Sequence, residues 1–409
     1  MKLHLTGPQH NNLDVEIQIT GSKSESNRSL LLQALHDNIA IANVSNSDDA
    51  LVMQQGLKIS DGTVDIHHAG TAMRFLTAYF AAQQGKEVTL TGSKRMTERP
   101  IKILVSALRE LGADISYVQE EGYPPIQIKG RALTGEKVSL PANISSQYIS
   151  ALLLVAPSLP NGLTLELVGE ITSIPYIKMT LGLLQQIGVA HTFVGNTITV
   201  SPVRQVAETH LTVESDWSSA SYYYSVVALA EAGSTVTLSA YKKDSLQGDS
   251  ILADIYEKMG VRTTFLENSI RLTKEKRDTY GPIAIDLVNA PDIAQTIAVT
   301  CFGLGIGCHL IGLHTLKIKE TDRLVALHTE LSKLGADISV SDKDLTLKPG
   351  GSIREGIAID TYNDHRMAMA FAPLALKTNL FVNDAGVVSK SYPDFWDDMK
   401  TVGFAIRTV

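Results

Sequence analysis

A helix that ends in an apolar residue and a glycine, followed at once by a strand-like run, recurs along this chain at intervals of roughly 70 residues. Leu108-Arg109-Glu110-Leu111-Gly112-Ala113-Asp114-Ile115 is one copy. Leu184 to Val189, Tyr256 to Val261, Leu331 to Ile338 and Asp398 to Phe404 repeat it, and Gln55-Gly56-Leu57-Lys58-Ile59 reads as an opening copy. In each, the glycine serves as a left-handed C-cap that turns the helix into the next strand. The spacing exceeds that of a solenoid repeat and fits a helix-and-sheet unit. About six such units predict an α/β protein of two similar domains with three units each. Its 409 residues also exceed what one hydrophobic core usually serves. The boundary is expected near Val213-Glu214-Ser215-Asp216, where a strand-like run gives way to Ser218-Ser219-Ala220-Ser221 and a helix.

The formal net charge is −7, yet the cations gather in short polar blocks. These are Gly21 to Arg28, Lys94 to Pro100, Lys317 to Arg323, Asn363-Asp364-His365-Arg366 and Lys390-Ser391-Tyr392-Pro393. Four of the five run straight into a helix-like stretch, where free backbone N–H groups and the positive end of the dipole suit phosphate or carboxylate. Small polyanions are therefore the expected ligands. An acidic chain without a broad basic surface excludes nucleic acid as a main partner. The two cysteines, Cys301 and Cys308, lie in one apolar run and offer neither a disulfide framework nor a metal site, which fits a reducing cytoplasm. Met1 to Thr6 lacks the apolar stretch of a signal peptide. Thr296 to Leu313, interrupted by four glycines, reads as a buried helix followed by a strand rather than a membrane span. No His/Cys/Asp cluster has metal-ligand spacing, so no metal and no cofactor is expected. A P-loop is missing, and Gly303-Leu304-Gly305-Ile306-Gly307 reads as packing glycine rather than a dinucleotide loop.

In this order, the blocks closely resemble those of the 5-enolpyruvylshikimate-3-phosphate synthase family of enolpyruvyl transferases. Gly21 to Arg28 is similar to that family's first substrate loop, and Ala69-Gly70-Thr71-Ala72-Met73-Arg74 to its phosphoenolpyruvate loop. Ser145-Ser146-Gln147, Ser173-Ile174-Pro175-Tyr176, Pro291-Asp292, Lys319 to Arg323, Tyr362 to Met367 and Lys390 to Asp394 match later motifs. The resemblance runs from about residue 20 to 395 and implies an inside-out α/β barrel in each of two domains, with the active site in the cleft between them. Residues 1–19 with 217–409 would form a discontinuous first domain bearing the acid/base carboxylates. Residues 20–216 would form the second, bearing most contacts to shikimate phosphate. The chain is expected to work as a monomer.

The implied reaction transfers an enolpyruvyl group from phosphoenolpyruvate to the 5-hydroxyl of shikimate 3-phosphate and releases phosphate. It belongs to the route to chorismate and the aromatic amino acids. Two phosphates and two carboxylates must share one site, and Arg and Lys offset their repulsion while bidentate Arg fixes geometry. By resemblance, Lys23, Gly70, Arg99, Gln147, Arg323, Arg366 and Lys390 bind phosphoenolpyruvate. Lys23, Ser24, Arg28, Ser145, Ser146, Gln147, Ser173, Tyr176, Asp292 and Lys319 bind shikimate 3-phosphate. Lys23, Asp292, Glu320 and His365 carry the catalysis, with Asp292 and Glu320 matching the acid/base carboxylates. From position alone, Asp292 could instead cap a helix after Pro291, and Glu320 could be a capping partner of the helix that follows.

Four positions depart from the family pattern: His68 for Asn, Phe75 for Pro, Trp217 for a small residue, and Thr315 for Asn. None removes a charge that the chemistry needs. The related transferase acting on UDP-N-acetylglucosamine has Asn after the loop Lys and a reactive Cys in a mobile loop. Here Ser24 follows Lys23 and both cysteines are in an apolar run. A catalytically silent binding module is the other alternative, and the joint presence of Lys23, Asp292, Glu320 and His365 argues against it.

Overall fold

The computed structural model describes residues 1–9, 12–171, 174–277 and 279–409. The chain divides into two compact units, one of residues 21–213 and one of residues 1–20 with 214–409. The unit of residues 21–213 contains helices α1 (Lys23–Leu35), α2 (Asp48–Leu57), α3 (Gly70–Ala82), α4 (Lys94–Thr97), α5 (Lys102–Glu110), α6 (Ser146–Val155) and α7 (Ile174–Gln186). Parallel strands cannot be joined by a tight turn and need a crossover, which helices supply here. Asp61–Asp65 runs parallel to Glu87–Thr91 across α3, and Glu87–Thr91 then pairs antiparallel with Ile126–Lys129, which pairs with Asp114–Tyr117. Lys137–Pro141 and Leu163–Val168 repeat the arrangement across α6, continued by Thr197–Val200 and His191–Val194. A third sheet keeps only the parallel pair, Thr209–Thr212 with Ile39–Ala42.

The other unit contains α8 (Trp217–Leu229), α9 (Leu252–Glu257), α10 (Ala294–Gly303), α11 (Arg323–Leu334), α12 (His365–Phe371) and α13 (Phe395–Val402). Its three sheets follow the same rule: one parallel pair, then two antiparallel strands. The parallel pairs are Asp14–Ile17 with Thr235–Ser239, Ile283–Asp286 with Cys308–Ile311, and Ile357–Ile359 with Leu380–Val382. In the last sheet the strand Leu3–Thr6 lies between Leu380–Val382 and Ala405–Thr408, so the repeat that begins at Ile357 is completed by the start of the chain. The expected α/β architecture of repeated helix-and-sheet units is present.

In four repeats the first helix (α3, α6, α10 and α12) is the crossover between the parallel strands, while α1 and α8 follow the two points where the chain passes from one unit to the other; all six are buried over most of their surface. In α3 every residue from Gly70 to Ala81 is buried, and in α8 every residue except Ser218. Such helices belong to an interior, whereas α5 buries only Leu104, Val105, Ala107 and Leu108 and shows a polar face to solvent. These first helices pack on one another: α3 on α6 and α1, and α10 on α8 and α12. The repeat punctuation is real at Gly112, Gly188, Gly260, Gly335 and Gly403, whose φ angles of 108°, 80°, 78°, 104° and 110° are left-handed. Gly56 does not share that role. It lies inside α2, where a Cβ would come within 2.6 Å of the Leu76 side chain, so it marks a helix crossing and not a C-cap. The apolar run Thr296 to Leu313 forms most of α10 and then the strand Cys308–Ile311. Among the described residues, no helix is long and apolar enough to cross a membrane.

Candidate active site

The expected site residues share one place in the repeat: the connections that leave the C-terminal ends of the parallel strands and enter a helix. Lys23, Gly70, Ser146 and His365 each begin the first helix of a repeat. Asp292 lies one turn before α10, while Arg99, Glu320 and Lys390 precede the second helix of their repeats. The carboxyl ends of parallel strands, faced by helix N-termini, are where open α/β folds bind anionic ligands. Ser173 lies outside the described residues.

In the unit of residues 21–213, Arg28 is the centre. It is buried, and its Nε donates to Thr180 Oγ1 at 2.8 Å, its Nη2 to Ser150 Oγ at 3.0 Å and its Nη1 to the Ser24 carbonyl at 2.7 Å. These bonds tie α1 to α6 and α7. The guanidinium sits 5.3 Å from the Phe75 ring and 5.8 Å from the Tyr176 ring. Phe75, a departure from the family pattern, therefore packs beneath a predicted ligand-binding arginine. Burial lowers the Arg28 pKa to about 10, against the opposing influence of Tyr176 and Glu25. Lys23 lies 3.5 Å from Asp49. Gln147 donates to Thr71 Oγ1 at 3.0 Å, joining the starts of α6 and α3, and Ser145 caps α6 with Ser146 buried behind it. Gly70 is required by Arg99: a Cβ at residue 70 would stand 2.7 Å from Arg99 Nη1.

In the other unit, Asp292 gathers three cations. Its carboxylate lies 2.8 Å from Arg323 Nη1, 3.3 Å from Lys319 Nζ and 3.4 Å from Arg366 Nη2, and its carbonyl accepts from Arg366 Nη1 at 3.2 Å. Burial works against ionisation here, but Arg366, Lys319 and Arg323 outweigh it and hold the carboxyl well below its ordinary value. Asp292 does not cap α10; it stands in a 3₁₀ turn, Pro291–Ile293. Nor does Glu320 cap α11, because Asp322 accepts from the Leu324 and Val325 amides instead. Glu320 accepts from Arg323 Nη2 at 2.9 Å and is one-third exposed, the most accessible carboxylate of the cluster. Arg323 also binds the fully buried Asp364 at 2.7 Å. His365 is buried, with Nδ1 3.9 Å from Asp364. Lys390 donates to the Asn363 carbonyl at 2.7 Å and to its side chain at 3.1 Å.

Four residues in these networks were not singled out by sequence reasoning. Arg74 is buried in α3 and spans from the Gly70 carbonyl at 3.1 Å to the Pro100 carbonyl at 3.2 Å, fixing the segment that carries Arg99. Asp364 caps α12 through the Arg366 amide while binding Arg323. Ser218 accepts from Arg366 at 3.2 Å, and it donates to the buried Asp249. The strings holding Arg74 and Asp364 match family motifs, but nothing in the sequence marks Ser218 or Asp249 as a site residue. Trp217 is fully buried, its indole N–H donating to Glu214 at 2.8 Å. Among the described residues, no group of His, Cys, Asp and Glu could hold a metal ion.

The model of the EPSP synthase (3-phosphoshikimate 1-carboxyvinyltransferase) family matches residues 57–399. A 3-phosphoshikimate 1-carboxyvinyltransferase of Bacteroides fragilis is 44% identical over 412 residues, covering 100% of this chain and 99% of that one. One from Colwellia psychrerythraea is 37% identical over 418 residues, covering 95% and 96%. Among solved structures, EPSP synthase from Acinetobacter baumannii aligns with a TM-score of 0.83 at 21% identity over 100% of both chains. The enolpyruvyl transferase NikO from Streptomyces tendae aligns at 0.72 and 14% identity, over 99% and 98%. The solved structures speak for the fold and the full-length relatives for the family: this chain belongs to the EPSP synthases, the 3-phosphoshikimate 1-carboxyvinyltransferases.

Proposed function

We infer that the chain transfers the enolpyruvyl group of phosphoenolpyruvate to the 5-hydroxyl of shikimate 3-phosphate, releasing phosphate through a tetrahedral intermediate. The observation that carries this reading is the Asp292 carboxylate held by Lys319, Arg323 and Arg366, a surplus of cation beside an ionised acid. In this reading Lys23, Gly70, Arg99, Gln147, Arg323, Arg366 and Lys390 receive phosphoenolpyruvate. Lys23, Ser24, Arg28, Ser145, Ser146, Gln147, Ser173, Tyr176, Asp292 and Lys319 receive shikimate 3-phosphate.

The addition step places a proton on the methylene carbon while the hydroxyl oxygen bonds to the adjacent carbon and gives up its own proton. Elimination takes a proton back from the new methyl group and expels phosphate. The carboxylate of an acid with a strongly lowered pKa is a poor proton acceptor, so before substrate binds Asp292 is suited to orient the hydroxyl more than to deprotonate it. When anionic substrates draw on Lys319 and Arg366, Asp292 recovers basicity. Glu320, beside Arg323 and one-third exposed, is the group suited to exchange the methylene proton, with Lys23 able to share the transfer and His365 completing the catalytic set. The enzyme works as a monomer in the cytoplasm.

Phosphate release measured with both substrates, with each alone, and with UDP-N-acetylglucosamine in place of shikimate 3-phosphate tests the reading. Release is expected only with the true pair, and unchanged after metal chelation. Equal release with the uridine nucleotide refutes the substrate, and loss on chelation restored by a divalent ion refutes metal-independent catalysis.

A further inference from the structure

Among the described residues, three repeats have a charged residue assigned to substrate or catalysis in the connection before the second helix: Arg99, Lys319 with Glu320, and Lys390. In a fourth, Asp49 in the first turn of the second helix pairs with Lys23. The repeat built on Asp14–Ile17 and Thr235–Ser239 has an unassigned buried carboxylate at the corresponding place, Asp249, just before α9. Asp249 accepts a hydrogen bond from Ser218 Oγ in the first turn of α8, and the same hydroxyl oxygen accepts from Arg366 Nη2 at 3.2 Å. A hydroxyl has one proton. Once that proton is committed to Asp249, the lone pairs of Oγ are directed at the guanidinium. Gln247 fixes the connection: its Oε1 accepts from the Trp217 amide at 2.9 Å and its Nε2 donates to the Ser215 carbonyl at 2.9 Å.

We propose that Asp249 and Ser218 are positioning residues for phosphoenolpyruvate, acting by orienting Arg366 so that its guanidinium serves both Asp292 and the incoming anion. This rests on the reading of Arg366 as a phosphoenolpyruvate ligand. Burial raises the Asp249 pKa to about 7, helped by the charge of Asp292 and, less, of Asp216, and opposed by Arg366 and the Ser218 hydrogen bond. Ionised Asp249 accepts the Ser218 O–H hydrogen bond and keeps the arginine oriented, and protonation at lower pH releases it.

The test is steady-state kinetics on Ser218→Ala, Asp249→Asn and the double variant, varying each substrate over pH 6 to 8. Each single variant is expected to raise KM for phosphoenolpyruvate about 3- to 10-fold, the loss of one hydrogen bond of about 1 kcal/mol. KM for shikimate 3-phosphate and kcat should stay within about 2-fold. The double variant should be no worse than the poorer single one, because both act through one arginine. An inflection in kcat/KM for phosphoenolpyruvate near pH 7 should vanish in Asp249→Asn. Unchanged KM in both single variants, or additive effects, overturns the proposal. Should Asp249→Asn fail to fold, Ser218→Ala decides alone. Arg366→Lys separates the two levels: a normal KM for phosphoenolpyruvate there refutes the reading of Arg366 itself, whereas a defect confined to Arg366→Lys refutes only the relay.

Discussion

Replacing Gly70 with Ala should separate stability from phosphoenolpyruvate binding. The new Cβ would stand 2.7 Å from Arg99 Nη1 and 3.2 Å from its Cζ and Nη2, with only the far end of a flexible side chain in the way. Ordinary contact begins near 3.4 Å, so the guanidinium must retreat by about 0.7 Å. The fold itself loses little, because Arg99 is half-buried and can move, and Ala is a better helix former than Gly. The bound anion loses more. A hydrogen bond to a charged group is worth about 1.5 to 3 kcal/mol, and a displacement of that size forfeits roughly half of one, about 0.75 to 1.5 kcal/mol. KM for phosphoenolpyruvate should then rise about 4- to 13-fold while KM for shikimate 3-phosphate and the melting temperature hold. Steady-state kinetics with a thermal melt on the same preparation measures all three. An unchanged KM for phosphoenolpyruvate with normal folding would show that Arg99 does not meet the anion where the geometry of Gly70 implies.

Glu320→Gln keeps the acceptor for Arg323 but loses the titrating proton. It should lower kcat by about 100-fold or more with little change in either KM, and near-normal turnover would move the proton work to Lys23 or Asp292. Asp292→Ala leaves Lys319, Arg323 and Arg366 facing one another without their shared anion. Removing one partner of a buried ion pair costs about 3 to 5 kcal/mol, and the lower end applies because Asp364 and Glu320 still hold Arg323. Denaturant melts should show that deficit, partly restored by inorganic phosphate. Because the folded-state pKa of Asp292 is depressed, its contribution is complete above the unfolded carboxyl value of about 3.9 and fades as pH falls below it. The difference between wild type and variant should thus be flat from pH 8 to about pH 5 and shrink only in stronger acid; a difference that fades near neutrality contradicts the assignment.

The repeat was legible because it is written in glycine punctuation, and the site because cations at helix starts carry their chemistry in their residue type. Lys23, Lys319 to Arg323 and His365-Arg366 could be found on those grounds. What sequence could not reveal is which charges would neutralise which. Lys319-Glu320-Thr321-Asp322 offers two carboxylates for one helix cap, and only the backbone turn assigns Asp322 to it. Arg74 reads as an ordinary helical arginine until α3 is seen to be buried all round. Gln247-Gly248-Asp249-Ser250 has no periodicity and no cation, so Asp249 gains meaning only from a serine 31 residues away. Gly56 misled for the opposite reason: a glycine that allows helices to cross closely looks, in sequence, like one that ends a helix.

The sheet that joins the chain's beginning to its end also sets a timetable for assembly at the ribosome. Leu5 pairs with Leu380, 375 residues later, and with Ile406 on its other side. At synthesis rates of about 5–20 residues per second, Leu3 and Leu5 wait roughly 20 to 75 s for their neighbours. Residues 21–213 hold all three of their own sheets and can close while the remainder is still being made. The strand Asp14–Ile17 must likewise wait for Thr235–Ser239, on the far side of that finished unit. A strand whose buried Leu3 and Leu5 are made some 375 residues before their partners is the segment of this chain most in need of protection from a chaperone, and the one whose mutation should depress yield before it depresses activity.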